Sequence, residues 1–329
     1  MIKKYSTREI AKIFDVSIRT VQRWLDGTQK PIDVFDKHKK DTLTEIRAQL
    51  GNGKAMQIVK RPKSHGETLV IHLTDWHLGA EDTDINGKPT YNTHIARERA
   101  NDLLSKMLLL AKEHIAIGTS ITEVIVAITG DMVDGDDMFA TQGIQVECAP
   151  PEQVMECAKI LRNFLLGLKV LKLPIMVYAV KGNHGRTGKD KSPQSNWDLM
   201  LYMILEDWII TSKTTGLTMY HSETDYYPIT IQGHGFLLRH KGTGQVESPS
   251  GARKMQGWAN LHRIEAVICG HLHHFAVSEE TNLRLFMGGS LKGTDEFSES
   301  LAKGCNPSQL MFGVTKKHVS SFLYVVDCK

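Results

Sequence analysis

Three short apolar runs, "TLVIHLT" (68–74), "EVIVAIT" (123–129) and "PIMVYAV" (174–180), are separated by two long amphipathic stretches, "HIARERANDLLSKMLLLAKEHI" and "PEQVMECAKILRNFLLGLKV". Runs this short and this uniformly apolar read as strands buried on both faces, and the stretches between them as helices with one apolar side. Strand, helix, strand, helix, strand implies βαβ units, hence an α/β fold in which the loops after the strands gather at one rim. "ITIQGHGFLLRHKG" (229–242) adds a hairpin, "EAVICG" (265–270) a fifth apolar run, and "QLMFGVTKKHVSSFLYVVDCK" a closing hairpin.

The chemistry-bearing residues fall where these runs end. The first run is followed by Asp75 and His77, the second by Gly130 and Asp131, the third by Gly182, Asn183 and His184. The second arm of the hairpin ends in His240, and the fifth run in His271 and His273. Alternate residues leaving a strand point the same way, so D-x-H and H-x-H can each aim two side chains at one metal or at neighbouring metals. Gly130, Gly182 and Gly270 permit the sharp turns and close backbone approach such a rim needs. Carboxylate, imidazole and amide oxygen suit Mn, Fe, Zn or Mg better than Cu(I) or an iron–sulfur cluster. His72 within the first strand, His234 in the hairpin turn and His274 beside His273 read as structural, and Trp76 as packing on the far side from Asp75 and His77.

The series D-x-H, G-D-x-x-D, G-N-H, H and G-H-x-H, in that order over roughly residues 66–300, resembles the calcineurin-like metallophosphoesterase superfamily. "LTDWHLG" is most similar to the opening motif of its SbcD-like DNA nucleases. The resemblance implies a four-layer α/β/β/α sandwich with one metal held by Asp75, His77 and His273 and a second by Asn183, His240 and His271. Asp131 would bridge them, His184 would act catalytically without binding metal, and Asp134 would orient the ligands. Two divalent cations, Mn2+ foremost, are implied as cofactors; about 3.5–4 Å apart they can bind phosphate oxygens and lower the pKa of a water for in-line attack. One departure stands out: Gly185 takes the place of an acidic residue after G-N-H and is followed by the basic loop "RTGKDK", whose Arg186, Lys189 and Lys191 are candidates for substrate phosphate.

Charge divides the chain. Residues 1–65 hold 15 Lys/Arg against 7 Asp/Glu, a net +8, which leaves −5 for residues 66–329 of a chain whose net charge is +3. A basic front predicts a polyanion partner. In "YSTREIAKIFDVSIRTVQRWLDG", Ser6 and Glu9 form a capping box, and Ile10, Ala11, Ile13 and Phe14 give a first short helix an apolar face. Ser17 caps a second helix carrying Val21 and Trp24, and Gly27 stops it. This pair resembles the helix-turn-helix of DNA-binding proteins, locked by Ile10, Val16, Ile18 and Val21, with Ala11 allowing close approach. Its second helix would read DNA through Ser17, Arg19, Thr20, Gln22 and Arg23. A third helix is expected around 33–49, giving a small all-α domain at 1–50, a basic linker at 51–65 and the phosphoesterase at 66–329.

Five scattered cysteines without a C-x-x-C pair exclude a disulfide framework, and the absence of an apolar leader or membrane-length run predicts a cytoplasmic protein with no membrane partner. The two modules together point to a metal-dependent DNA phosphodiesterase or nuclease, of a kind that would suit a phage or mobile element acting in the host cytoplasm. Homo-oligomerisation is left open. An ATPase partner of the SbcD type is not expected, because the chain closes soon after the core. The other readings are a phosphatase or cyclic-nucleotide phosphodiesterase that uses the helix-turn-helix only for localisation, and a DNA-binding regulator with a vestigial site.

Overall fold

A computed structural model describes residues 6–8, 11, 17–26, 66–139, 142–242, 249–280, 282–294 and 304–328. The chain divides into two compact units, Met1–Lys54 and Ala55–Lys329.

In the first unit Thr7, Arg8 and Ala11 are helical, and helix α1 spans Ile18–Leu25. The Ser17 carbonyl accepts from Val21 N at 3.2 Å, so the helix starts where the sequence places its cap. Ala11 and Val21 are buried, but Ile18, expected to lock the helices, is 45% exposed. Ile18 is the first helical residue, and its Cα–Cβ bond tilts back past the helix start, away from the turn that Val21 buries. Ile10, Ile13, Phe14, Val16, Gly27, the helix expected at 33–49 and the linker at 51–65 lie outside the described residues, as do the side chains of Thr20 and Trp24.

The second unit runs β1 (Glu67–Leu73), β2 (Asp82–Thr83), β3 (Pro89–Tyr91), α2 (Thr93–Ala116), β4 (Ile121–Ile128), α3 (Pro150–Leu168), β5 (Ile175–Ala179), α4 (Trp197–Thr211) and β6 (Leu217–His221). It continues with β7 (Tyr226–Ile231), β8 (His234–Lys241), α5 (Pro249–His262), β9 (Ala266–Gly270), β10 (Ala276–Glu280), β11 (Leu283–Met287), β12 (Ser308–Thr315) and β13 (His318–Asp327). One sheet has the order β13-β12-β1-β4-β5-β6 and a second β10-β11-β9-β8-β7. β1, β4, β5 and β6 are parallel, while β12 joins β1 antiparallel and pairs with β13 as the closing hairpin.

The sheets face each other across a core that includes Val70, Ile125, Phe236, Ile268, Phe286 and Phe312. The Phe286 and Phe312 rings stack across it with centroids 4.5 Å apart. α2, α3 and α4 lie side by side against the first sheet, and α5 covers the second through Met255, which packs with Leu237, Val267 and Leu285. The architecture is the expected α/β/β/α sandwich. β1 is buried at all seven positions because it is covered on both faces, which is why its sequence carries no alternation. Asn92 caps α2 by accepting from Ile95 N at 2.9 Å, and Pro150 opens α3 at a position whose N–H would be unsatisfied anyway.

Candidate metal centre

The parallel strands β1, β4 and β5 end at one edge of their sheet, β8 and β9 at the matching edge of theirs, and the candidate ligands occupy the loops that follow. Asp75, His77, Asp131, His271 and His273 all take left-handed backbone angles, with φ of 53°, 47°, 50°, 79° and 62°. Such conformations cost of order 1–3 kcal/mol each and persist only where surrounding structure imposes them, which is typical of functional sites. The glycines act as expected. A Cβ on Gly182 would stand 2.0 Å from Asp131 Oδ1, and one on Gly270 would stand 2.2 Å from Asp75 Oδ2.

Two donor sets result. Asp75, His77 and His273 form one, and Asp131, His240 and His271 the other, with ligand atoms in each set within 4.8 Å of one another. In the first set His77 Nε2 faces His273 Nε2 at 3.0 Å, and Asp75 Oδ1 lies 3.8 and 3.6 Å from these nitrogens. In the second, His240 Nε2 lies 2.9 Å from Asp131 Oδ2 and 3.2 Å from His271 Nδ1. Asp75 Oδ1 and Asp131 Oδ2 are buried without an aligned hydrogen bond. Buried carboxylate oxygens left this way beside imidazole nitrogens turned toward each other fit cations between them.

The outward nitrogens are fixed. His77 Nδ1 donates to Asp134 Oδ1 at 2.8 Å and His240 Nδ1 donates to the Thr129 carbonyl at 2.8 Å, so in the neutral rings both Nε2 lone pairs turn inward. Asn183 lines, with His240, a cleft of about 540 Å³ that opens beside the second set. His184 joins Asp131 and His77 in a third group within 4.8 Å. Its backbone N donates to Asp131 Oδ1 at 2.7 Å and its Nδ1 lies 3.2 Å from Asp134 Oδ1, so Asp134 orients the ring without help from residue 185.

Electrostatics follow from burial and these contacts. Burial works against charge on His77, yet Asp134 and Asp75 raise its pKa to about 10; likewise Asp131 raises that of His240 to about 9. Burial opposes ionisation of Asp75, but His77, His240 and His273 hold it well below the usual carboxylate range. Burial and the neighbouring His240 push His271 down to about 4.

Several supporting residues carry no motif. Asp198, fully buried, accepts from the backbone N–H groups of Asp131, Met132 and Gly182 at 3.0, 3.1 and 2.8 Å, and so ties the ends of β4 and β5 together. Burial, with Asp131 nearby, raises its pKa to about 6. Gln309 on β12 accepts from Thr74 N at 2.7 Å and donates to the Thr74 carbonyl at 3.0 Å, and Ser290 Oγ donates to the Asp75 carbonyl at 2.8 Å. The one available signal was "SNWD", in which Asn196 caps α4 by accepting from Asp198 N. Of the basic loop, Arg186 lines the cleft, whereas Lys189 and Lys191 are exposed, do not line it, and offer their carbonyls to Arg186. His72 is buried against Thr129 and His234 is held by Glu265 and Thr315. His274 bonds the Leu272 carbonyl, and Trp76 packs edge-on to Phe164.

A four-layer sandwich with two adjoining carboxylate–imidazole donor sets at its strand ends is suited to holding divalent metal. Residues 68–275 match the calcineurin-like phosphoesterase family, and the chain belongs to it. No curated protein matches the chain in sequence. Among solved structures it is similar to vacuolar protein sorting 29 from Cryptosporidium parvum, 17% identical with a TM-score of 0.39 over 80% of this chain and 93% of that one. A novel archaeal phosphodiesterase is 13% identical, TM-score 0.37, over 78% and 99%. A predicted phosphoesterase from Streptococcus pneumoniae is 10% identical, TM-score 0.33, over 80% and 98%.

Proposed function

We propose that this phosphoesterase is a DNA phosphodiesterase or nuclease, with Mn2+ as its metal and residues 1–50 as a helix-turn-helix that brings it to DNA. The observation that carries the catalytic half is the pair of donor sets, linked by a third group in which His77 of one and Asp131 of the other lie beside His184. Asp75, His77 and His273 would hold one divalent cation and Asn183, His240 and His271 the other, with Asp131 shared; the cations would supply charge to the phosphate oxygens and acidify a water. The chain's own residues do the rest. Gln153 accepts from Gly135 N at 2.8 Å and so steadies the loop after β4, and His184, its Nδ1 held by Asp134, hands a proton from its other nitrogen to the leaving oxygen.

The DNA half is supported by α1, where Arg19, Gln22 and Arg23 are exposed after an exposed Ser17 while Val21 is buried. Tethering such a helix to the enzyme raises the effective DNA concentration without any new contact at the metal centre. No ATPase partner is needed for this scheme. The test is a panel of plasmid DNA, single-stranded DNA, a small diester and a monoester, assayed with Mn2+ alongside metal analysis. Cleavage of DNA and the diester is expected, with Asp131→Ala reducing both bound metal and cleavage to background. Hydrolysis of the monoester alone would sink the nuclease reading.

A further inference from the structure

The cleft beside Asn183 and His240 has a wall that the metal chemistry does not use. Lys181, Arg186 and Lys241 all line it. Lys181 is 7% exposed and its ammonium donates to the Glu223 carbonyl, which leaves two further donors on a nearly buried cation. Arg186 Nη2 donates to the Lys189 and Lys191 carbonyls at 3.2 and 3.4 Å, and its Nε is buried without a hydrogen-bond partner. Lys241 follows His240 directly and pairs in register with Gly270, so it stands between two strand ends that carry ligands.

None of the three makes an ion pair among the described residues. Of the two acidic residues in the cleft, Asp225 lies 2.6 Å from Arg239, and Glu223 meets Lys181 through its carbonyl. Lys181 is buried, Arg186 half-buried and Lys241 exposed, and together they present three cations outside any ion pair among the described residues to one cleft, an arrangement that a bound anion would neutralise. The cleft adjoins the metal centre, so that anion would be part of the same substrate.

We propose that Lys181, Arg186 and Lys241 form a second phosphate subsite, so that the preferred substrate carries another phosphate next to the scissile one, as a nucleic-acid strand does. This rests on the phosphodiesterase reading above and narrows its substrate class to polyphosphorylated chains. An isolated small diester would fill the metal centre and leave the subsite unmatched.

The test uses the full-length, Mn2+-loaded protein and two readouts. Calorimetry compares a nucleoside bisphosphate with the corresponding nucleoside monophosphates, and kinetics compare a dinucleotide carrying a terminal phosphate with the same dinucleotide lacking it. The second phosphate is expected to tighten binding and raise kcat/KM by roughly tenfold or more, the usual worth of a charge-assisted hydrogen bond. Lys241→Gln and Arg186→Gln should each collapse that ratio toward unity, chiefly through KM, and Lys241→Arg should restore it. Lys241 is exposed, so its variants keep the fold. A ratio near unity in the unmodified protein, or one that Lys241→Gln leaves unchanged, overturns the subsite. Bisphosphate binding that depends on Lys241 with no diester cleaved would instead keep the subsite and overturn the phosphodiesterase reading.

Discussion

Asp131 joins the parts of the site: its Oδ1 accepts from His184 N, its Oδ2 faces His240, and its own N–H is held by Asp198. Such crowding has a consequence for protons. When no metal is bound, His77 and His240 have pKa values of about 10 and 9, while His271 is held down near 4. Each charged imidazole then faces a neighbouring nitrogen or carboxylate, so protons stand in for the cations. A histidine whose folded pKa is raised above its ordinary 6.5 stabilises the fold fully below that value and loses the contribution as pH rises through the folded pKa. The metal-free protein should therefore lose stability between about pH 6.5 and 10, and metal affinity should rise over the same window, because ligation needs neutral rings. At pH 8, loading both cations should release about two protons, one from His77 and one from His240. Calorimetry in buffers of different ionisation enthalpy reads this directly; metal uptake with no buffer dependence would rule it out.

At the scale of elements, close approach at the strand ends is the limiting demand. A Cβ on Gly270 would stand 2.1 Å from Thr74 Oγ1, whereas one on Gly257, inside α5, meets nothing within 4 Å. Gly270→Ala should therefore destabilise by about 1–3 kcal/mol through overpacking and weaken metal binding, since Asp75 must shift. Gly257→Ala should stabilise by roughly 0.5–1 kcal/mol, as expected for a helical glycine with room for a methyl group. Denaturant midpoints of the two variants check the contrast; equal effects would mean that the strand end yields easily. The elements that place the ligands were legible because β1, β4, β5 and β9 are short apolar runs ending in glycine or carboxylate. Asp198 and Gln309 were not, since each acts across a long sequence separation, on Asp131 and Thr74, and neither sits in a periodic or metal-ligand pattern. Nor could local pattern divide the strands between two sheets: β12 inserts between β13 and β1, a choice made by packing, and only the family resemblance anticipated the sandwich. Ile18 was misread because apolar character alone does not say whether the first turn of a helix is covered.

For the whole molecule the charge division matters most. The +8 of residues 1–65 stands against −5 in the remainder, so attraction to a polyanion should be concentrated in the front. If Arg19 and Arg23 of α1 contact DNA phosphates, replacing both by alanine should weaken DNA binding and reduce the slope of log affinity against log salt by about 2, since each phosphate contact contributes roughly 0.9. Filter-binding or anisotropy titrations over a range of salt concentrations measure that slope. Turnover of a small diester is the internal control, because it needs the metal centre and no reading helix. A variant that bound DNA with unchanged slope would place the polyanion contact elsewhere in the chain. One that lost diester turnover in proportion to DNA binding would give α1 a structural role in the enzyme, leaving the basic front without a recognition function.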